Sequence, residues 1–149
     1  MPLGLELGSD NYYGSYYFRV SIPDVAGDIN QTFTKVSGVV SETEPMEFKH
    51  GTDPYIRKTV GRTKYEDLAL ERIYNGNDGF YTWRLEIEAG NLTRKDIKIE
   101  MMKANGDVIR TMICRSAWPS KWQLPEMDSS STSPASEVIT LSVEKVTNE

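Results

Sequence analysis

The chain has 149 residues, of which 38% are hydrophobic, and its 17 basic and 22 acidic residues give a formal net charge of -5. This size predicts one domain over residues 1–149 with a single core. The negative charge argues against a phosphate backbone as the main ligand, so sequence-specific nucleic acid binding is not expected. No run approaches the roughly 20 apolar residues of a membrane span, so no membrane anchor is expected. With one cysteine, Cys114, no disulfide within the chain can stabilise the fold.

The first residues lack the basic start and the apolar stretch of a secretory signal, which predicts a protein that is not exported by that route. Alternation of apolar and polar residues then predicts a strand at 17–22 and a second strand at 31–37. From 41 to 64 the apolar content falls, with acids in the first half and bases in the second. A segment this long without its own structure is uncommon in a compact domain, so we expect an extended hairpin or arm. Its opposite charges would let it pair with itself or with a copy on another subunit.

A strand over 68–72 and then one short helix over about 78–89 are predicted next. Asn77 or Asp78 is placed to accept the first free N–H groups of this helix, and Gly90 with Asn91 ends it. Apolar side chains at helical spacing predict the face that packs on the core. They are Phe80, Trp83 and Ile87, with Tyr81 and Leu85 widening the stripe.

Residues 95–113 carry the strongest local pattern, that of a β-hairpin. Apolar and charged residues alternate in both arms, so one face should pack and the other should stay wet. Asn105 and Gly106 tolerate positive φ, which predicts a two-residue type I′ turn. No set of catalytic residues accompanies the hairpin, so this pattern favours a structural surface over an active-site pocket.

The last third is predicted to contain two interruptions, at 117–122 and at the Ser-rich stretch 129–136. Alternating Ile139, Leu141 and Val143 then predict a final strand that nearly reaches the C-terminus. Six or more strands and one helix are expected in all. Within this pattern Cys114 is most simply a small strand residue.

The residues of common catalytic sites are sparse. His50 is the only histidine, so a Ser-His-Asp site would depend on it, and a zinc site built from several histidines is excluded. Glu42, Glu44 and Glu47 resemble an acid/base set, but they lack aromatic neighbours to desolvate them, which favours a solvated face. No glycine-rich phosphate loop precedes the helix. We therefore expect no cofactor, no metal site and no enzymatic activity.

Two tryptophans, Trp118 and Trp122, flank Pro119 and have two interpretations. Aromatic faces bind sugars and peptides, so the pair could form a platform for such a ligand. The alternative is that the pair anchors a loop on its own core or on a neighbouring subunit.

Taken in order, segments along almost the whole chain resemble the tail tube protein family of contractile phage tails and contractile injection systems, the gp19-like tube proteins. The order and spacing of the segments carry the resemblance, because each one alone is only a few residues of strand or turn. The segments are 17–20, 33–38, 42–44, Gly51, 57–61, 65–72, 81–83, 94–97, Gly106, 117–119 and 137–141. The Ser-rich stretch 129–136 and the lead-in 11–14 depart from the family pattern.

The resemblance implies a mainly β fold, an antiparallel β-barrel or sandwich with one short outer helix, that assembles into hexameric rings. The rings would stack into the inner tube of a contractile tail or injection system, a hollow conduit that sheath contraction drives through a target envelope. Implied partners are further copies of the chain, the sheath protein, baseplate and tube-initiator proteins, and a tape measure, effector or DNA in the lumen. The tube would assemble in the bacterial cytoplasm and become part of a virion tail or of a released or cell-bound particle.

Family members use the loop that corresponds to the arm for contacts within and between rings. The resemblance therefore implies self-assembly roles for Glu44, Glu47, Tyr55, Arg57 and Lys58.

Three alternatives stay open at this point. The chain could be a tube initiator, a related hexameric ring that joins the tube to the baseplate. It could also be a monomeric β-sandwich that binds carbohydrate or peptide through the tryptophan pair and the arm. An enzyme using His50 or the acids of the arm is the third.

Overall fold

The structure is a computed structural model that describes residues 18–22, 33–74, 76, 78–124 and 127–149. These ranges contain nine strands and one helix. In chain order they are β1 (Phe18–Ser21), β2 (Phe33–Ser37), β3 (Ser41–Phe48), β4 (Arg57–Tyr65), β5 (Leu68–Ile73), α1 (Gly79–Glu88), β6 (Lys95–Met102), β7 (Val108–Gln123), β8 (Ser136–Ser142) and β9 (Lys145–Asn148).

Strand β7 belongs to two antiparallel sheets. Its first half pairs with β6 and β9, and β6 pairs with β1, which gives the first sheet. Its second half pairs with β8, and β5 and β2 follow, which gives the second sheet. Between the two halves Ser116 has a φ of 54°. The carboxylate of Asp96 fixes this bend, because one oxygen accepts the Ser116 N–H at 3.0 Å and the other accepts a hydrogen bond from Arg115 at 3.0 Å.

The core lies between these sheets and the helix. Removing apolar side chains from water is the main force that holds such a domain together. Among the described residues the buried side chains are Val20, Ile22, Leu68, Leu70, Phe80, Trp83, Ile97, Ile99, Cys114, Ala117, Ile139, Leu141 and Val143. Burial raises the pKa of the Cys114 thiol to about 11, so the thiol stays protonated and behaves as a small apolar strand residue.

One ion pair is buried among these side chains. Arg72 on β5 and Glu137 on β8 face each other across the strands, with Nε of the arginine 3.0 Å from Oε1 of the glutamate. Both side chains are almost fully buried, and the guanidinium also lies 4.8 Å from the centre of the Phe80 ring. The pair therefore joins the second sheet to the helix.

The helix begins at Gly79, and the expectation that Asp78 caps it through its side chain is wrong. Asp78 occupies the N-cap position without a capping hydrogen bond, because its carboxylate accepts the Tyr74 hydroxyl at 2.6 Å instead. Asn77 lies outside the described residues. Tyr81 and Leu85 do not widen the buried stripe, since both are exposed and only Phe80 and Trp83 are fully buried.

The β6–β7 hairpin forms as expected, but its turn is not the two-residue type I′ turn. Gly106 donates to the Lys103 carbonyl at 2.9 Å, and the Lys103 N–H donates to the Asp107 carbonyl at 2.8 Å. Within this loop only Gly106 has a positive φ. The loop therefore has three residues, a turn followed by a left-handed glycine, which preserves the strand twist with a single positive φ. The Asn105 side chain supports it by accepting the Asp107 N–H at 3.0 Å.

The expected interruption at 117–122 is also wrong, because β7 continues through it to Gln123. The final strand, in turn, is two strands, β8 and β9, separated at Val143 and Glu144. Both differences have one cause. The bend in β7 moves its pairing from one sheet to the other, and the strand beside it must break where β7 bends.

Candidate assembly surface

Strands β3 and β4 form a separate two-stranded antiparallel sheet, which we call the arm. The sequence left open whether this segment pairs with itself or with a second copy, and in the structure it pairs with itself. Nearly all of its side chains are exposed. An isolated two-stranded hairpin is only marginally stable in water, so packing against another protein surface would stabilise the arm.

The two strands of the arm carry opposite charges that pair with each other, and we call these residues the charge pairs. The ammonium of Lys58 lies 4.0 Å from Glu47, and that of Lys64 lies 3.7 Å from Glu44 and 4.0 Å from Glu42. The acidic half therefore neutralises the basic half within one chain. Because these groups are mostly exposed, the pairs add little stability and mainly set the register of the two strands.

Met46 and Phe48 lie together on one face of the arm, and we call these two side chains the apolar patch. Strand alternation places Glu44 on the same face and Thr43 on the opposite face. On that opposite face the Thr43 and Thr63 hydroxyls lie 2.8 Å apart and form a hydrogen bond. Met46 and Phe48 are about half exposed, which is unusual for two large apolar side chains on one ribbon. The apolar patch has the character of a contact surface.

The tip of the arm is a tight turn with a prominent apolar projection. Asp53 organises it: one carboxylate oxygen accepts the Tyr55 N–H at 3.1 Å and the other accepts from Nε of Arg57 at 2.6 Å. The Tyr55 side chain is 71% exposed and Ile56 is 59% exposed. His50 is exposed and contributes its carbonyl to the turn, where it accepts the Asp53 N–H at 2.9 Å.

The five residues expected to mediate assembly thus lie on one arm but not on one face. Glu44, Glu47 and Lys58 belong to the charge pairs, Tyr55 projects from the tip, and Arg57 joins the tip to β4. Their roles in assembly stay a prediction.

Sequence reasoning missed Met46 and Phe48. Their signal was the spacing of two apolar residues on either side of Glu47 in a charged segment.

Gly61 allows the two strands of the arm to approach each other. The register shifts between Thr43 and Pro45, and a Cβ on Gly61 would lie 2.4 Å from the Glu44 carbonyl oxygen. That distance is well inside van der Waals contact, and the obstacle is backbone, which has little freedom to move.

Replacing Gly61 with alanine should therefore open the arm locally without unfolding the two main sheets. Hydrogen exchange of the arm amides should become faster than in the wild type, while the protection of β6 and β7 stays unchanged. Arg62→Ala, one residue further along an exposed strand, is the matched control and should leave the exchange of the arm unchanged. Equal exchange in the two variants would contradict the close approach at Gly61.

A cavity of about 830 Å³ lies between the end of β5, the start of α1, the end of β7 and the Ser-rich segment. Aromatic and apolar side chains dominate it, chiefly Tyr74, Tyr81, Trp122, Leu124 and Met127. The Tyr81 and Trp122 rings contact each other with centres 4.8 Å apart.

The register shift in β7 separates the two tryptophans. Trp118 pairs with Ser142 on the outer face of the second sheet, whereas Trp122 pairs with Ile139 on the core side. They therefore do not form one platform, and Trp122 anchors its strand on the core of its own subunit.

Within the described ranges, no three His, Cys, Asp or Glu side chains lie together in a manner that would hold a metal ion. No helix in the described part of the chain has the length and apolar character needed to cross a membrane.

The family model of the T4-like virus tail tube protein gp19 matches residues 14–147. The chain belongs to this tail tube family. As a tail tube protein it is a structural subunit, and the family expected from the order of its sequence segments is confirmed. No curated protein matches the sequence significantly.

Solved structures of contractile injection systems share the fold of this tail tube protein. In the sheath-tube complex of the extracellular contractile injection system PVC, in its extended state, one chain matches with a TM-score of 0.81 and 24% identity, covering 93% of this chain and 91% of that one. A chain of the anti-feeding prophage cap matches with a TM-score of 0.81 and 26% identity over the same shares. A chain of the six-fold symmetrised anti-feeding prophage baseplate matches with a TM-score of 0.80 and 15% identity, covering 93% and 95%. The expected mainly β fold with one helix is confirmed.

Proposed function

We propose that this tail tube protein forms hexameric rings, and that the rings stack into the hollow inner tube of a contractile tail or injection particle. The arm carries the proposal, because its apolar patch is about half exposed and is not covered by its own subunit. Six-fold order is supported by the six-fold baseplate that contains a chain of the same fold. The role is mechanical: contraction of a sheath drives the rigid tube through a target envelope.

The partners follow from this role. Further copies of the chain supply the ring and the stack, and the sheath surrounds it, as in the sheath-tube complex to which this fold is similar. Baseplate and initiator proteins lie at one end, and a tape measure, an effector or DNA occupies the lumen. Assembly takes place in the bacterial cytoplasm, and the tube then belongs to a virion tail or an injection particle. No step of this function needs a cofactor or a catalytic group.

The outer face of the first sheet is suited to line the lumen, because it is charged yet neutralised within the subunit. Arg19 donates two hydrogen bonds to Glu100, at 3.1 and 3.0 Å, and these lower the pKa of the Glu100 carboxyl. The Ser116 N–H and then Arg115 lower the pKa of Asp96 in the same way. Groups that are paired and ionised at neutral pH present little net charge, so an anionic cargo would not be held.

A second candidate function is a tube-initiator ring at the baseplate. It is favoured by the similarity of the whole fold to a chain of the anti-feeding prophage baseplate. An initiator would form single rings and would not extend into tubes without its baseplate.

Negative-stain electron microscopy of the purified protein across concentration and salt tests the proposal. Six-fold rings that stack into tubes are expected for a shaft subunit, and single rings at every condition would favour the initiator. Monomers at every condition would contradict both.

Reversing Arg57 and Lys58 to glutamate should block stacking while the subunit stays folded, because the arm would then carry acids on both strands. Circular dichroism would report the fold, and microscopy would count tubes. The structure provides a matched control in the exchange Glu47→Lys with Lys58→Glu, which keeps an opposite pair within the arm but inverts the charges that a neighbour meets. Normal tubes formed by the double-reversal variant would show that Arg57 and Lys58 do not lie at the contact between subunits. Loss of tubes from the exchange would show that the Glu47–Lys58 pair meets another subunit.

A further inference from the structure

The cavity between α1 and the Ser-rich segment is lined on its apolar side by aromatic rings. Tyr74 and Tyr81 are 39% and 41% exposed, and the Tyr81 ring lies against that of Trp122, with an angle of 49° between the two planes. Two rings tilted in this way form a corner, whereas a sugar ring stacks on a single flat face. The face of an aromatic ring carries the negative part of its quadrupole, so such a corner attracts a cation.

Carboxylates line the same cavity. Asp78 lies at the start of α1, where its Oδ1 accepts the Tyr74 hydroxyl at 2.6 Å, and Asp128 lies directly before the Ser-rich segment. Asp128 accepts hydrogen bonds from the Ser130 N–H and hydroxyl at 2.9 and 2.8 Å. These bonds lower the pKa of its carboxyl, so Asp128 is ionised at neutral pH. Contacts within the subunit thus fix both carboxylates on the walls of the cavity.

The charge of these carboxylates is not offset by bases of the cavity. None of the described lining residues is basic. Residues 122–144 supply most of the lining, and this stretch of sequence contains no lysine, arginine or histidine. Arg72 acts on Tyr74 from the core, but its charge is paired with that of Glu137. The potential in the cavity is therefore negative, which favours a positively charged ligand.

The size and the remaining lining indicate what kind of cation fits. The volume of about 830 Å³ lies within the range of roughly 300 to 1,000 Å³ that is typical of small-molecule pockets. Leu124 and Met127 extend the apolar surface beyond the rings. A metal ion is not suited, because among the described residues no third acid, cysteine or histidine joins the two carboxylates. The lining therefore matches an organic cation with an apolar group.

We propose that this cavity binds a small organic ammonium ion that carries an apolar or aromatic group. The cation lies near the Tyr81–Trp122 corner and the carboxylates of Asp78 and Asp128, and the apolar group lies along Leu124 and Met127. This inference goes beyond the tube function and does not depend on it, because the binding site belongs to a single subunit.

Calorimetric titration of the full-length protein with phenethylammonium at low salt tests the site. Phenethyl alcohol is the matched ligand, since it has the same ring and chain without the charge. The amine should bind at one site per chain and at least roughly 5-fold more tightly than the alcohol. Added salt should weaken the binding of the amine, because salt screens partly exposed charges. Equal affinities for the two ligands, or no binding of the amine, would overturn the inference and leave the tube function standing.

Substitutions on the helix locate the aromatic part of the site. Tyr81→Ala should weaken binding of the amine roughly 3- to 30-fold, whereas Tyr81→Phe should retain it, because a phenyl ring keeps the same face. Leu85→Ala is the matched control, since Leu85 lies one turn further along α1, is 42% exposed and is not part of the cavity lining. Circular dichroism checks that each variant is folded. Equal losses in Tyr81→Ala and Leu85→Ala would overturn the inference.

A second pair of variants tests the charge. Asp78→Asn keeps an oxygen for the Tyr74 hydroxyl but removes the charge, so binding of the amine should weaken roughly 2- to 5-fold and binding of the alcohol should not change. Asp107→Asn alters an exposed acid in the β6–β7 loop and should leave both affinities unchanged. The same change in both variants would overturn the role of Asp78.

The side chain of another protein could supply the same cation. Acetyl-phenylalanyl-lysine amide carries the ring and the ammonium on a peptide backbone and separates the two sources. The proposal expects this peptide to bind more weakly than phenethylammonium. Tighter binding of the peptide would overturn the assignment of a small-molecule ligand in favour of a partner protein.

Discussion

Replacing Glu137 with alanine is expected to lower the free energy of unfolding of the subunit by about 3 to 5 kcal/mol. The reason is burial: Arg72 is 0% and Glu137 is 1% exposed, so the substitution leaves a guanidinium in the core without its carboxylate. A loss of this size is a large part of the stability of an ordinary domain. Urea unfolding of the unassembled subunit, followed by circular dichroism, measures it.

The double variant Arg72→Met with Glu137→Leu separates lost charge pairing from lost packing. Since both charges disappear together and the volume is largely retained, most of the stability should return. Glu71→Ala alters a half-exposed neighbour on the opposite face of β5 and should change the free energy of unfolding by less than about 0.5 kcal/mol. A loss below about 1 kcal/mol for Glu137→Ala would mean that water reaches the arginine in solution.

Replacing Met46 and Phe48 together with aspartate is expected to abolish tubes. If the apolar patch packs on a neighbour, two unpaired carboxylates must lose their water there, at a cost of several kcal/mol each. Such a cost raises the concentration needed for assembly more than about 100-fold, because 1.4 kcal/mol is tenfold. Sedimentation of tubes across protein concentration measures the effect.

The stability of the unassembled subunit should hardly change in this variant, since both side chains are about half exposed in the arm. The conservative pair Met46→Leu with Phe48→Tyr keeps the apolar surface and should assemble like the wild type. Wild-type assembly by the aspartate variant would show that the apolar patch is free in the tube.

Local patterns were sufficient to predict most of the strands. The alternation at Ile97 and Ile99 and at Ile139 and Leu141 identified strands whose inward residues are the observed core. The turn after β6 was misread because Asn105-Gly106 fits two kinds of loop, and only the partner positions of Lys103 and Asp107 distinguish them. Such distinctions depend on strand register, which a short sequence window does not contain.

Features that join distant parts of the chain were not predictable in this way. Arg72 and Glu137 are 65 residues apart, and each alone resembles an exposed charge on a strand. The continuity of β7 through Pro119 was missed for a related reason: proline usually ends a ladder, but here it lies next to a register shift in the pairing of β7 with β8, within the second sheet. Of the candidate site, the arm was evident from its length and charge, whereas the cavity depends on the packing of α1 against the end of β7.

The shared strand β7 has a consequence for a tube that must transmit force. Hydrogen bonds connect this one strand to β6, β8 and β9, so neither sheet can slide or peel away without breaking the ladder of the other. A push along the particle is therefore distributed over the whole subunit instead of being concentrated at one edge. The hydrogen bond from Ser116 to Asp96 then fixes the angle at which β7 passes from one sheet to the other.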